Sequence, residues 1–289
     1  MVLPGKPLQQ QESSDSVPAR LDPKEAKNSV QSLIKGLHVL ETFSSGADEL
    51  TLSEIAAASG LDAGTTFRML NTLVQAGYVA RIPDSSRFRL SLKVLELGFN
   101  AIAHTDLRAL VRPMLQSLAG KVNEAASFAV LEGSDVLYIE RVRAGFTRLG
   151  IDIRIGTTIY APITSIGLTI LAFLPEDELD HALSIPPRHP IATVPVPERN
   201  ALRQKLAAIR HNGYLVGESL ISNDLRLLAV PVLGPDGWAT GAISVVAPST
   251  HSSDEDLTSR VLVPMQSVAR QIARAQEASG AASLGTIPV

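Results

Sequence analysis

The sequence predicts an α+β protein: an N-terminal winged helix-turn-helix, a helical linker, and a C-terminal mixed α/β domain with a largely antiparallel sheet. Three observations predict it. Residues 50–90, LTLSEIAAASGLDAGTTFRMLNTLVQAGYVARIPDSSRFRL, read as helix, tight turn, helix and a short basic hairpin. Beyond residue 105, apolar strands and amphipathic helices are mixed and a meander closes the series, which disfavours a doubly wound parallel sheet. The chain has 289 residues, enough for about two domains.

Each element follows from local pattern. Residues 1–28 are rich in Gln, Ser, Pro and charge and bury too little apolar surface to offset their ordering entropy, so a disordered tail is expected. The winged domain then spans 29–91. Its first helix starts near Val30, with Leu33, Ile34, Leu37, Leu40 and Phe43 on one face, and Gly46 stops it. Thr51 with Glu54 three residues on makes a capping box; Leu52, Ile55, Ala56 and Ser59 give that helix a short buried face. Gly60 supplies the turn, Leu61 points inward, and Asp62 caps a second helix from Ala63 to Ala76. Its apolar positions are Phe67, Leu70, Leu73 and Val74, with Phe67 expected to be partly buried, and Gly77 ends it. Residues 78–82 and 87–90 alternate like strands around Pro83-Asp84-Ser85-Ser86, a turn sequence. Ser91 caps a linker helix over 92–105, with Leu92, Leu95, Leu97, Phe99 and Ile102 as its apolar stripe.

The second domain is expected over 106–279, followed by a flexible end at 280–289. A helix near 106–122 opens it. Strands are expected at Ala125–Leu131, Val136–Val142, Arg148–Ile153, Tyr214–Val216, Leu225–Val232 and Ala239–Val246. Helices are expected over 164–173, 175–183, 198–211 and 253–278. Residues 186–197 hold five prolines and must be a loop.

Composition excludes several classes. With no Cys, thiolate metal sites, disulfides and a Cys nucleophile are ruled out, and a reducing cytoplasm is the expected compartment. No secretory h-region and no membrane-length apolar run is present. There is no Gly-x-Ser-x-Gly, P-loop, dinucleotide fingerprint or His-Glu-x-x-His, so the chain does not read as an enzyme and no cofactor or metal is expected. Two other readings stay open here: a metal sensor, disfavoured by scattered His residues, and an interaction module that reads no DNA.

Charge points to nucleic acid. Residues 29–93 hold six Lys/Arg against six Asp/Glu, yet after Asp62 there are five basic residues and one acid. The second helix and wing are therefore the basic part, as phosphate neutralisation requires. Gly64, Thr65, Thr66, Phe67 and Arg68 sit where a recognition helix meets base edges, and Arg68 suits a bidentate contact to guanine. Arg81, Arg87 and Arg89 suit phosphate or minor-groove contact; Gln31 and Ser53 are further phosphate candidates. The apolar face of 30–43 and the stripe of 92–102 exceed what so small a domain covers, which predicts a two-fold dimer on a pseudo-palindromic site.

The residues also carry a resemblance. Val30-Gln31-Ser32-Leu33 with Gly36-Leu37-His38-Val39-Leu40, then Leu52-Ser53-Glu54-Ile55-Ala56, Gly60-Leu61, Phe67-Arg68-Met69-Leu70 and Leu73-Val74-Gln75-Ala76-Gly77-Tyr78-Val79, resemble the IclR family of bacterial regulators. Tyr138-Ile139-Glu140-Arg141-Val142, Ile155-Gly156, Leu225-Arg226 with Ala229-Val230-Pro231-Val232, and Ala242-Ile243-Ser244-Val245 continue it, over about residues 29–277. Asp152-Ile153-Arg154-Ile155-Gly156 and residues 92–99 are similar to the branch that controls aromatic-acid (β-ketoadipate) catabolism. The resemblance implies a DNA-binding regulator, activator or repressor, a dimer or dimer of dimers, whose C-terminal domain binds a small organic acid and which governs a catabolic operon. Positions matching the family's effector contacts are Ser165, Ile166, Gly217, Leu227, Ser244 and Val246. Several are apolar here where well-known members are polar, so the resemblance implies an aromatic or larger effector, or another polar anchor such as Arg154 or Glu218. Three departures stand out: Ala63 for a cation, Gly64 for a Ser, and Leu168 for a Lys.

Overall fold

The computed structural model describes residues 29–45, 47–97, 107–144, 153–188, 195–222, 224–250 and 252–279. The expected tail, most of the linker helix and the C-terminal end lie outside them. So does most of the Pro-rich loop, and all but Ile153 of the strand expected at Arg148–Ile153. Contacts divide the chain into two units, with the boundary between Gly98 and Phe99.

The first unit contains α1 (Gln31–Glu41), β1 (Leu50–Thr51), α2 (Leu52–Ser59), α3 (Ala63–Gln75), β2 (Val79–Arg81) and β3 (Arg87–Leu90). The Thr51–Glu54 capping box is formed in full and Gly60 closes α2 in the left-handed conformation, φ 66°. Asp62 caps α3 by accepting from Thr65 N. The strands form an antiparallel sheet in the order β1-β3-β2. β1 is too short for alternation to reveal. Val39, Phe43, Leu50, Ile55, Leu70, Val79 and Phe88 make the core.

Two helix faces differ from expectation. In α1 the inward residue is Val39, while Leu33 is 63% exposed and Leu37 is also exposed. In α3 the inward stripe is Thr66, Leu70, Leu73 and Val74, at the i, i+4, i+7, i+8 spacing of one helix face. Phe67 stands about a quarter-turn away and is 44% exposed.

The second unit contains α4 (Leu107–Val122), β4 (Ala125–Glu132), β5 (Asp135–Val142), β6 (Thr158–Tyr160), α5 (Ser165–Leu171), α6 (Glu176–Ser184), α7 (Arg199–Asn212), β7 (Leu215–Glu218), β8 (Leu225–Leu233), β9 (Ala239–Pro248) and α8 (Asp254–Ala278). The strands form one sheet, β6-β5-β4-β9-β8-β7, antiparallel at every pairing. β6, three residues between Gly156 and Pro162, is unexpected from pattern.

Alternation along the strands makes three layers. Phe128, Leu228, Val230, Ile243 and Val245 pack under α4 and α8. Ala129, Tyr138, Ile159 and Ala242 pack under α5, α6 and α7. Every residue of α5 is buried, as befits a helix apolar on all sides. Gly167 lets it press on the turn before it: a Cβ there would stand 2.3 Å from the Ala161 carbonyl oxygen.

One irregularity shapes everything that follows. In β5, Tyr138 pairs with Ala129 and Glu140 with Phe128, so Ile139 is an extra residue, a β-bulge. Strict alternation would put Tyr138 and Glu140 on one face and Arg141 on the other. The bulge puts Tyr138 and Arg141 on the face of Ser127 and Ala129. Glu140 turns to the α4 side, where it accepts from Arg108 Nε at 3.0 Å and lies 4.0 Å from Arg112.

Candidate nucleic-acid interface and ligand pocket

The first unit presents α3 and the β2–β3 hairpin. Gly64, Phe67 and Arg68 are exposed on α3. Thr66 is fully buried and its hydroxyl donates to the Asp62 carbonyl at 2.9 Å. It is a core residue, not a groove residue, because it takes the inward position expected of Phe67. Thr65 is also buried, but its hydroxyl accepts from Arg68 Nη2 at 2.9 Å. Its expected direct role at a base edge becomes that of a brace for the arginine. The Asp62 carboxylate occupies the start of α3, and its hydrogen bonds from Thr65 hold its pKa below the ordinary value. The helix dipole there is already answered by an anion, so Arg68 and the wing remain as the attraction for DNA.

The three wing arginines differ in surroundings. Arg81 donates to Asn71 Oδ1 at 3.2 Å, and its guanidinium lies 5.2 Å from the Phe88 ring centroid. It ties the wing to α3. Arg87 donates to the Glu49 carbonyl at 3.2 Å and stands 4.0 Å from the Glu54 carboxylate, which offsets part of its charge. Arg89, exposed on the same face of β3, has no hydrogen bond or ion pair among the described residues. Ser53 is exposed on α2, and exposed Gln31 donates to Ser29 Oγ at 3.2 Å. Asn71, which sequence reading missed, carries no charge signal; only its contact with Arg81 marks it.

The second unit contains a pocket between β5, α5, β8 and β9. Ser165, Ile166, Leu227, Ser244 and Val246 line it together with Thr164, Leu225 and the segment Ser219–Ile221. Three other expected residues stand elsewhere. Arg154 is exposed and outside the lining. Gly217 pairs with Leu227 but sits on the neighbouring edge strand. Glu218 is exposed and ion-paired to Arg226 at 3.5 Å.

The cation of the pocket is Arg141, with Tyr138 beside it. The bulge at Ile139 is what brings both to this face, and a period-two reading of the strand could not show it. Arg141 Nη1 donates to Ser127 Oγ at 3.2 Å, and Ser127 pairs with Ser244 across β4 and β9. A guanidinium and hydroxyls thus form one polar floor under a wall of Ile153, Ile166, Leu227 and Val246. Burial pushes the Tyr138 phenol up to about 12, against the opposing pull of Arg141, so it is a neutral hydroxyl at physiological pH. The enclosed space is ≈ 40 Å³, room for a few waters, so a ring-sized ligand needs the lining to open. Leu168, at the position of the family's Lys, is buried in the core beneath α5 and away from this lining.

Among the described residues no group of three or more His, Asp or Glu could hold a metal ion. None of the described helices is long and apolar enough to cross a membrane.

Comparison with known proteins places this architecture. The model of the IclR helix-turn-helix domain matches residues 32–83, and that of the bacterial transcriptional regulator IclR C-terminal region matches 99–274. The chain is 27% identical to the HTH-type transcriptional regulator XynR of Escherichia coli K12 over 79% of its length and 90% of that protein. It is 29% identical to the Pca regulon regulatory protein of Pseudomonas putida, over 76% of this chain and 74% of that one. A solved protein of Rhodococcus sp. RHA1 is 33% identical with a TM-score of 0.70, covering 87% of this chain and all (100%) of that one. An IclR homologue of Microbacterium hydrocarbonoxydans, solved in complex with 4-hydroxybenzoate, is 27% identical with a TM-score of 0.69, over 86% of this chain and 100% of its own.

Proposed function

The chain belongs to the IclR family of bacterial transcriptional regulators, DNA-binding proteins that are not enzymes, and on that premise we propose that it is a homodimer whose affinity for a pseudo-palindromic operator is set by an aromatic acid in the β5–α5–β8–β9 pocket. The observation that carries the ligand reading is the pairing of Arg141 with an apolar wall in one pocket. A carboxylate takes the guanidinium by charge-assisted hydrogen bonds, and a ring takes the wall of Ile153, Ile166, Leu227 and Val246. Glyoxylate or pyruvate would leave that wall wet. The Microbacterium homologue's 4-hydroxybenzoate and the Pca name of the Pseudomonas relative agree with this class.

Arg68 reads a base and Arg89 neutralises phosphate, with Arg81 and Arg87 holding the wing in place. Val30, Leu33 and Leu37 on α1 and Leu92, Leu95 and Leu97 beyond the wing are exposed apolar side chains, and a second copy is what covers them. The ligand acts by binding the DNA-competent and incompetent arrangements with different affinity.

The test has two arms. Full-length protein is screened by thermal shift against 4-hydroxybenzoate, benzoate, pyruvate and glyoxylate, because a ligand of the folded state raises apparent stability. Gel shifts on the gene's upstream region follow, with and without each stabilising acid. Stabilisation by an aromatic acid that also changes the gel shift supports the reading. Stabilisation by the short acids alone overturns the pocket assignment.

A further inference from the structure

The end of the recognition helix is fastened to the start of the linker by polar contacts. α3 closes with Gly77 at φ 81°, where Gly77 N donates to Val74 O and Tyr78 N to Leu73 O. This helix end satisfies two of its orphan carbonyls internally and leaves those of Ala76 and Gly77 unanswered. Residues just beyond the wing answer them. Lys93 Nζ donates to the Ala76 carbonyl at 2.9 Å, and Ser91 Oγ donates to the Gly77 carbonyl. Ser91 N donates to Tyr78 O at 2.9 Å, and the Lys93 ammonium lies 4.8 Å from the Tyr78 ring centroid. A cation at a helix C-terminus is also favoured by the dipole.

Hydrophobic packing does not share this task. The apolar residues gathered on the winged core end at Leu90. Leu92 is 81% exposed, and Leu95 and Leu97 are exposed as well, so these side chains face away from the unit that Ser91 and Lys93 hold. A joint made of a few solvent-accessible polar bonds opens at lower cost than a packed one. It is the place where the direction of the linker relative to α3 is set.

We propose that Ser91 and Lys93 are positioning residues that fix the angle between the linker and the recognition helix, and thereby the half-site spacing a dimer accepts. The inference rests on the DNA-reading dimer proposed above. Neither residue needs to touch DNA. Two recognition helices joined through their linkers meet successive major grooves only at one separation, and a loosened joint lets them reach several.

The experiment uses the full-length protein. Wild type selects a duplex from fragmented genomic DNA. That duplex is resynthesised with base pairs added or removed between its half-sites, and separately with single base substitutions inside them. Affinities are measured for wild type, the double variant Ser91→Ala/Lys93→Met, and Lys93→Arg, which keeps the cation. Wild type is expected to weaken by about tenfold or more off its preferred spacing, a usual size for coupling between sites. The double variant should compress that preference to within about threefold while keeping its base preferences, since its recognition helix is intact. Lys93→Arg should keep the wild-type spacing preference. A spacing preference that survives the double substitution overturns the inference, even if affinity falls uniformly. Loss of base preference together with spacing also overturns it, because the residues would then only support the helix. A wild type with no spacing preference overturns the dimer reading itself, which is a different failure.

Discussion

Replacing Arg141 by Met should abolish the distinction between an acid ligand and its amide. Met keeps the apolar stem of the side chain, so the perturbation is the guanidinium alone. In the structure that group is partly buried, donates to Ser127 at 3.2 Å and lines the pocket beside Tyr138. A hydrogen bond to a charged group contributes about 1.5–3 kcal/mol, so the dissociation constant of 4-hydroxybenzoate should rise roughly 10- to 150-fold. The neutral 4-hydroxybenzamide, which keeps the ring, should lose far less. Titration calorimetry on both ligands and both proteins gives the ratio directly. Wild type should favour the acid by at least about tenfold, and Arg141→Met should bind acid and amide alike. An acid-to-amide ratio that is unchanged by the substitution would refute the reasoning, because the carboxylate would then be held elsewhere. The same measurement on Arg154→Met, whose side chain lies outside the pocket, should leave both constants at wild-type values.

Two further predictions concern the first unit. Arg68→Ala should lower discrimination at a single base pair by about 1–3 kcal/mol, whereas Arg89→Ala should weaken all sequences alike and reduce the salt slope by roughly 0.9 per subunit; competition gel shifts across base substitutions and salt concentrations separate the two, and an Arg89 variant with altered base preference would contradict the assignment. Acid should melt the helix-turn-helix through its caps. Asp62 and Glu54 are held below their ordinary values of 3.8 and 4.5 by hydrogen bonds from Thr65 and Thr51. A depressed carboxyl adds stability that is complete above its unfolded pKa and is lost as the pH falls through the folded one. Helix content of the winged unit, followed by circular dichroism below pH 3.8, should therefore fall, and an Asp62→Asn/Glu54→Gln variant should show a flatter acid profile; identical profiles would mean that the caps do not control this transition.

Much of the fold is legible in the residues because its signals are local. Thr51 and Glu54 are three apart and both halves of their capping box close within one turn of helix. Gly60 and Asp62 mark the turn for reasons that reside in their own backbones and side chains. The strand segments of the second unit show as apolar runs between turn residues, and β6 fails to show because three residues carry no period. Where an element has two plausible faces, pattern alone misleads. Phe67 is the larger hydrophobe, yet Thr66 takes the core position because the helix phase is set by Leu70, Leu73 and Val74.

The pocket marks the boundary between the two kinds of information. By itself the sequence determined the architecture and the confinement of basic charge to the second half of the winged unit. It also brought Ser165, Ile166, Leu227, Ser244 and Val246 forward by likeness to a family. Only the tertiary structure decided which cation serves them. Arg154 and Glu218 are near in sequence to pocket-lining residues but outside the lining, while Arg141 is brought in by one extra residue in β5. A bulge is a property of the pairing between two strands and leaves no mark in either strand read alone. The same holds for Ser91 and Lys93, whose partners at Ala76 and Gly77 are carbonyls, groups that every residue carries and that no sequence pattern distinguishes.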